Sequence, residues 1–109
     1  MPISWLAGSI SIQRSKLAFP RLPSTWLVQQ RGLPVLIARD TGAHLTTGQG
    51  ADEGVLRRAL AVMLEHLAGF EYRITVETWN GEPVLDSTGR SLLEAAGFYR
   101  DYPGITWQR

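Results

Sequence analysis

The chain contains no cysteine, which excludes a disulfide framework, a thiolate metal centre and a cysteine nucleophile. Histidine is scarce as well, with only His44 and His66. Neither has an Asp, Glu or His beside it at ligand spacing on one element, so no metal site and no cofactor is expected. No apolar run approaches the ~18 to 20 residues that a membrane span requires. Residues 1–5, Met-Pro-Ile-Ser-Trp, lack the basic region that opens a secretory signal, so the expectation is an intracellular, cytoplasmic protein with no membrane partner. Lysine occurs once, at Lys16, against ten arginines. Arginine forks match phosphates and stack on bases where lysine acts as a point charge, although a biased codon supply gives the same ratio. Acidic residues are absent before Asp40, so Arg14, Lys16 and Arg21 make the first part of the chain locally basic.

What remains is the composition of a folded domain. The 109 residues are 44% hydrophobic and 19% charged, with a net charge of +1, which suits one globular unit and gives no bulk attraction for nucleic acid. Residues 1–24 are punctuated by prolines and serines and are expected to be a connector or basic arm, with an edge strand over 9–13. Residues 25–109 form the domain proper.

Local patterns place its elements. Strands are expected over 26–30 and 34–39, joined around Arg31-Gly32-Leu33, and over 43–47 after an Asp40-Thr41-Gly42 turn. Asp52 is a suitable N-cap. Apolar residues at 56, 59, 60, 63, 67 and 70 then trace one face of a helix running to Gly69, with Glu53 placed four residues before Arg57 in the favourable order. From Tyr72 the pattern alternates as in a strand, with Ile74 and Val76 on one side, and turns at Asn80-Gly81. A short helix follows over 91–96, Gly97 stops it in a left-handed conformation, Phe98 packs back, and 103–109 close as a strand. The expected fold is α+β: a curled, mainly antiparallel, barrel-like sheet with one long and one short helix, in the approximate order β-β-β-α-β-α-β.

Sites of chemistry are few. Neither a phosphate-cradling loop nor an Asp-Glu box occurs, so no ATPase motor is present and the chain by itself is not expected to be an enzyme. Asp40-Thr41-Gly42 matches the active triplet of aspartic proteases, and Gly89-Arg-Ser-Leu-Leu93 is similar to the closing segment of the retroviral type, which works as a dimer with one Asp from each chain. Arg39 stands where that family has an apolar approach, and a helix occupies the place of its flap hairpin. Asp-Thr-Gly is also an ordinary turn sequence. His66 lies near a helix C-terminus, where the dipole mildly favours a proton. Four tryptophans occur: Trp79 and Trp107 are expected to close the core, whereas Trp5 and Trp26 flank the basic segment. Trp26 either packs on the sheet or offers a stacking surface for bases.

The order of short words from 72 to 109, with Gly-Glu-Pro at 81–83, Ala-Ala-Gly-Phe at 95–98 and a short final strand, resembles the C-terminal accessory region of large helicase-related (Lhr-type) superfamily 2 helicases, of the DEAD/DEAH-box class. The run Trp26 to Thr47, with Gly-Leu-Pro-Val-Leu at 32–36, is similar to the strands preceding it. The resemblance covers about 26–109 and none of 1–23. It implies a β-barrel-like module of an ATP-dependent, DNA-repair type of helicase, following a winged-helix domain and helping to form the channel for the tracking strand. The expected partners are single-stranded DNA or RNA and the motor and winged-helix domains. Charge placement alone nominates Arg14, Lys16, Arg21, Arg57, Arg58 and Arg73 as contacts, with Trp26 as the stacking residue. Two alternatives stand beside this: a protein-interaction module without nucleic-acid binding, and a dimeric aspartic protease using Asp40.

Overall fold

The computed structural model describes residues 10–14 and 25–109. Its strands are β1 (Ile10–Arg14), β2 (Trp26–Gln30), β3 (Leu33–Arg39) and β4 (His44–Thr47), followed by the helix α1 (Glu53–Leu67). The rest comprises β5 (Arg73–Val76), β6 (Thr78–Trp79), β7 (Glu82–Pro83), a 3-10 turn (Val84–Asp86), α2 (Gly89–Ala95), β8 (Tyr99–Asp101) and β9 (Gly104–Gln108). The class is α+β, with a mainly antiparallel arrangement and one long and one short helix. The strands divide into two open sheets, β1-β2-β3-β4-β6-β7 and β5-β9-β8.

Turn chemistry sets the local geometry. Arg31-Gly32 and Asn80-Gly81 both carry two consecutive positive φ angles (55° and 81°, 53° and 82°), the conformation that closes a two-residue hairpin in step with the strand twist. Pro34 in β3 cannot donate to the ladder, and the register shifts between Val28 and Gln29 opposite it, which absorbs the missing bond. Asp52 caps α1 by accepting from the Val55 N–H at 2.8 Å. Gly97 adopts φ 104°, and the Phe98 N–H returns to the Leu93 carbonyl at 3.1 Å, a left-handed helix stop with its apolar return contact.

The strand that begins near Tyr72 does not run through to the Asn80 turn. The N–H groups of Glu77 and Thr78 both reach the Ala43 carbonyl, at 2.6 and 3.2 Å. The chain thereby leaves the three-stranded sheet at Val76 and joins the six-stranded one, where β6 pairs parallel with β4. Asn80 fastens this crossing: its Oδ1 accepts from the Thr47 N–H at 2.9 Å.

The core fills the space between α1 and the two sheets. Leu56, Ala59, Leu60, Met63 and Leu67 of α1 meet Val28, Leu36, Ala38 and Leu45 of the larger sheet and Ile74, Val76 and Ile105 of the smaller. Each fully buried Leu or Ile contributes about 1.5–3 kcal/mol. Trp79 is 3% exposed and lies against Gly89, where a β-carbon would overlap its indole ring. Trp107 is partly buried against the same core. No helix among the described residues is long and apolar enough to cross a membrane.

Candidate functional site

Strand register brings basic and aromatic residues to one end of the larger sheet. Antiparallel pairing sets Arg14 of β1 opposite Trp26 of β2, and Trp26 opposite Ala38 of β3, with Arg39 the next residue along. The last turn of α1 passes over this end and delivers His66, and the turn that follows delivers Phe70. The Trp26 and His66 rings meet edge to face with centroids 4.3 Å apart. Phe70 closes the cluster at 5.9 Å from Trp26 and 5.7 Å from His66. Such aromatic pairs add about 0.5–1.5 kcal/mol each beyond area burial. Trp26 Nε1 and His66 Nε2 are buried without a hydrogen-bond partner among the described residues. Phe70 is 52% exposed, so the cluster presents one ring to solvent.

Beside the cluster, Ile10 and Ile12 of β1 face Val62, Glu65 and His66 of α1 across a groove of about 500 Å3. Residues 58, 62 and 66 stand on one row of the helix, which places Arg58 two turns from His66, about 12 Å along the axis. Arg39 and Arg58 are exposed and have no ion-pair partner among the described residues.

The residues nominated from charge placement are thus dispersed. Arg14 lies in β1 opposite Trp26, and Arg58 lies on the row leading to His66. Lys16 and Arg21 fall outside the described residues, in the sequence between Arg14 and Trp26. Arg57 stands on the other flank of α1, where its Nε and Nη2 donate to Glu53 Oε2 at 3.1 and 2.8 Å. Arg73 belongs to the outer face of the smaller sheet and donates to Asp101 at 2.7 Å. There it shares a cleft of about 660 Å3 with Asp40, Glu71, Glu77 and Asp101, four carboxylates around one guanidinium. A phosphate meets net repulsion at that face. Phe70 and His66, which complete the aromatic cluster, escaped the contact set because the helix pattern absorbed Phe70 as a core position. Their i, i+4 spacing on the end of a helix was the available signal.

A ladder of polar contacts crosses the same outer face. Asp101 Oδ2 accepts from Arg73 and, at 3.0 Å, from the hydroxyl of Thr106. Thr106 is fully buried, and its hydroxyl also lies 3.0 Å from that of Thr75. The three strands are therefore stitched by side chains as well as backbone.

Thr78, His44 and Asp40 form a hydroxyl–imidazole–carboxylate arrangement. His44 Nδ1 lies 2.9 Å from the Thr78 hydroxyl, and Nε2 lies 3.6 Å from Asp40 Oδ2. The last separation exceeds hydrogen-bond length, and the Asp40 side chain is 55% exposed. In serine-protease geometry the carboxylate orients the imidazole from a buried position, which this contact does not reproduce. The His44–Thr78 bond instead pins β4 to β6 across their parallel pairing. Spacing along the sequence concealed both partners of His44, since one sits in a turn and the other 34 residues away. No group of three or more His, Asp or Glu among the described residues is arranged to hold a metal ion.

No protein-family model matches this chain, and neither a curated protein nor a solved structure matches it. These comparisons link the chain to no family, Lhr-type helicases included. Chemically, the sheet end combines an exposed ring and two supporting rings, with Arg14 in register opposite Trp26. That set can stack on a planar base and contact a phosphate, and it offers no nucleophile with a general base.

Proposed function

We propose that this chain is a non-catalytic binding module that holds single-stranded nucleic acid at the Trp26–His66–Phe70 end of its larger sheet. The observation that carries this is the exposed Phe70 ring, braced by His66 and Trp26, with Arg14 in register opposite Trp26. A base stacks on Phe70, while Arg14, Lys16 and Arg21 add basic charge for adjacent phosphates in the sequence that leads into Trp26. Base–aromatic stacking contributes about 1–3 kcal/mol per base and tolerates any sequence. With a net charge of only +1, long-range steering is weak, so binding is local and its salt dependence shallow. The acidic cleft around Arg73 disfavours the opposite orientation. In the setting that the Lhr-type resemblance implies, the module guides a strand that separate motor and winged-helix domains move.

The test is a titration of fluorescent single-stranded DNA and RNA oligonucleotides at low and moderate salt. Binding is expected, with Phe70→Ala weakening it by about fivefold to a hundredfold. Asp40→Asn should leave it unchanged, whereas an aspartic protease would lose all activity with that substitution. Absence of binding at high micromolar protein in low salt overturns the proposal. A protein-docking role has its own support in a separate apolar groove between α1 and α2.

A further inference from the structure

β1 ends the strand order of the larger sheet and pairs with β2 through all five of its residues, without a bulge. Every second residue of β1 therefore turns its N–H and C=O away from β2, and no strand among the described residues receives them. The strand has no proline, and its one charged residue is the last, Arg14, so little in it discourages a further strand.

The helix α1 flanks this edge. Ile10 and Ile12 face Val62 and Glu65 across the groove of about 500 Å3. Arg58 shares with Glu65 that side of the helix, because seven residues turn about 700°, some 20° short of two full turns. The two lie about 10 Å apart along the axis. Both are exposed, and neither has an ion-pair partner among the described residues.

A second copy of this chain meets both requirements, an extended strand and a matching pair of charges. A two-fold axis perpendicular to the sheet beside Ile12 makes the two β1 strands antiparallel neighbours. It also sets the two α1 helices side by side and antiparallel on the same face. That operation reverses position along the helix and leaves height above the sheet unchanged. Arg58 of one copy therefore meets Glu65 of the other at one height and one axial level, and the contact repeats, as an isologous interface demands. One axis serves strand and helix together. His66 meets Trp26, which pairs with Arg14. Ile12 stands two residues back from Arg14, about 7 Å, and the midpoint of Arg58 and Glu65 lies about 7 Å back from His66. An unrelated extended peptide satisfies the strand edge alone, whereas the second copy satisfies the charges as well.

We infer that β1 is a homodimer interface, in which two copies of this chain join their larger sheets edge to edge through antiparallel β1 strands, with reciprocal Arg58–Glu65 pairs between the two α1 helices. The inference stands apart from the single-strand proposal, and each can fail without the other.

The test is the mass of the full 109-residue chain by sedimentation velocity across low to high micromolar concentration, with circular dichroism to verify the fold of each variant. The wild type should show a concentration-dependent dimer. Arg58→Glu sets carboxylate against carboxylate in both pairs, and Glu65→Arg sets guanidinium against guanidinium. Each alone should weaken dimerisation by about tenfold or more. An equimolar mixture of the two variants should recover the dimer, because a heterodimer restores opposite charges in one pair of each kind, and the double variant should recover it likewise. A second disruption leaves the helix untouched. The axis beside Ile12 sets Ser11 opposite Gln13 of the other copy, and both are exposed, so the double variant Ser11→Lys, Gln13→Lys places lysine against lysine in both pairs. It should abolish the dimer over the same concentrations. A wild type that remains monomeric throughout, or a dimer that survives either set of changes, overturns the inference.

Discussion

Two regions of this molecule hold arginine beside other polar or aromatic groups, and they differ in what surrounds the guanidinium. On the outer face of the three-stranded sheet, Arg73 is committed to Asp101, with Asp40, Glu71 and Glu77 in the same cleft. Arg39, at the end of β3, has no ion partner among the described residues and projects from the face of the six-stranded sheet opposite that of Trp26 and Ala38. A guanidinium within a carboxylate cluster serves to neutralise it and to order the strands. One without a carboxylate partner retains its capacity for an external anion. Counts of basic residues cannot separate these cases, because net charge is a sum and binding depends on local excess.

The contrast holds only while both regions hang on one core, and its largest test removes that support. Met63 is fully buried in α1 within the core that both sheets share, so Met63→Ala should cost about 2–5 kcal/mol. Thermal unfolding should remain a single transition at lower temperature. Two separated transitions would show that the sheets are independent units and that the comparison concerns two domains.

A smaller effect separates binding from stability. Phe70→Ala should reduce single-strand affinity by about 1–3 kcal/mol, and the loss of its two ring contacts should lower the melting temperature by only a few degrees, leaving the protein folded at the assay temperature. Arg73→Ala in the same assay should leave affinity unchanged. Equal losses for the two variants would erase the distinction between the two regions.

Next in size is the ladder on the smaller sheet. Asp101→Ala removes the acceptor of both Arg73 and the buried Thr106, and should cost about 1 kcal/mol in chemical denaturation, because Thr106 keeps its contact with Thr75. Arg73→Ala should cost less than Asp101→Ala, since an exposed ion pair is worth at most about 1 kcal/mol. The reverse order would mean that the guanidinium, and not the carboxylate, organises the cleft. Smallest of all, Arg14→Ala should lower the slope of log affinity against log salt by about one, measured with the same oligonucleotides. A steeper change would point to a wider basic surface.

Local chemistry was legible in the sequence. The Asp52 cap, the apolar face of α1, the Glu53–Arg57 pair, the Asn80-Gly81 turn and the Gly97 stop all appear where the residue pattern places them. Each is decided within a turn or two of chain, by φ preference, side-chain spacing or one capping bond. The same holds for the edge strand near Ile10 and for the burial of Trp79. The division into two sheets was not legible. It turns on the N–H groups of Glu77 and Thr78 finding the Ala43 carbonyl, a partner more than thirty residues away that alternation within a strand cannot specify. β8 was missed because Tyr99–Asp101 is three residues with no buried side chain, too short to show a period.

The candidate sites follow the same division. Sequence alone determined that this chain is a folded α+β unit without cysteine chemistry or a nucleotide-binding loop, and that its arginines outnumber its single lysine. Only the tertiary structure decided which arginines face carboxylates and which face open surface, and that Trp26, His66 and Phe70 share one corner. The physical reason is range. Backbone and helix preferences act over a few residues and are written in neighbouring letters, whereas local charge and ring contact depend on strands and helices from distant parts of the chain meeting across one core.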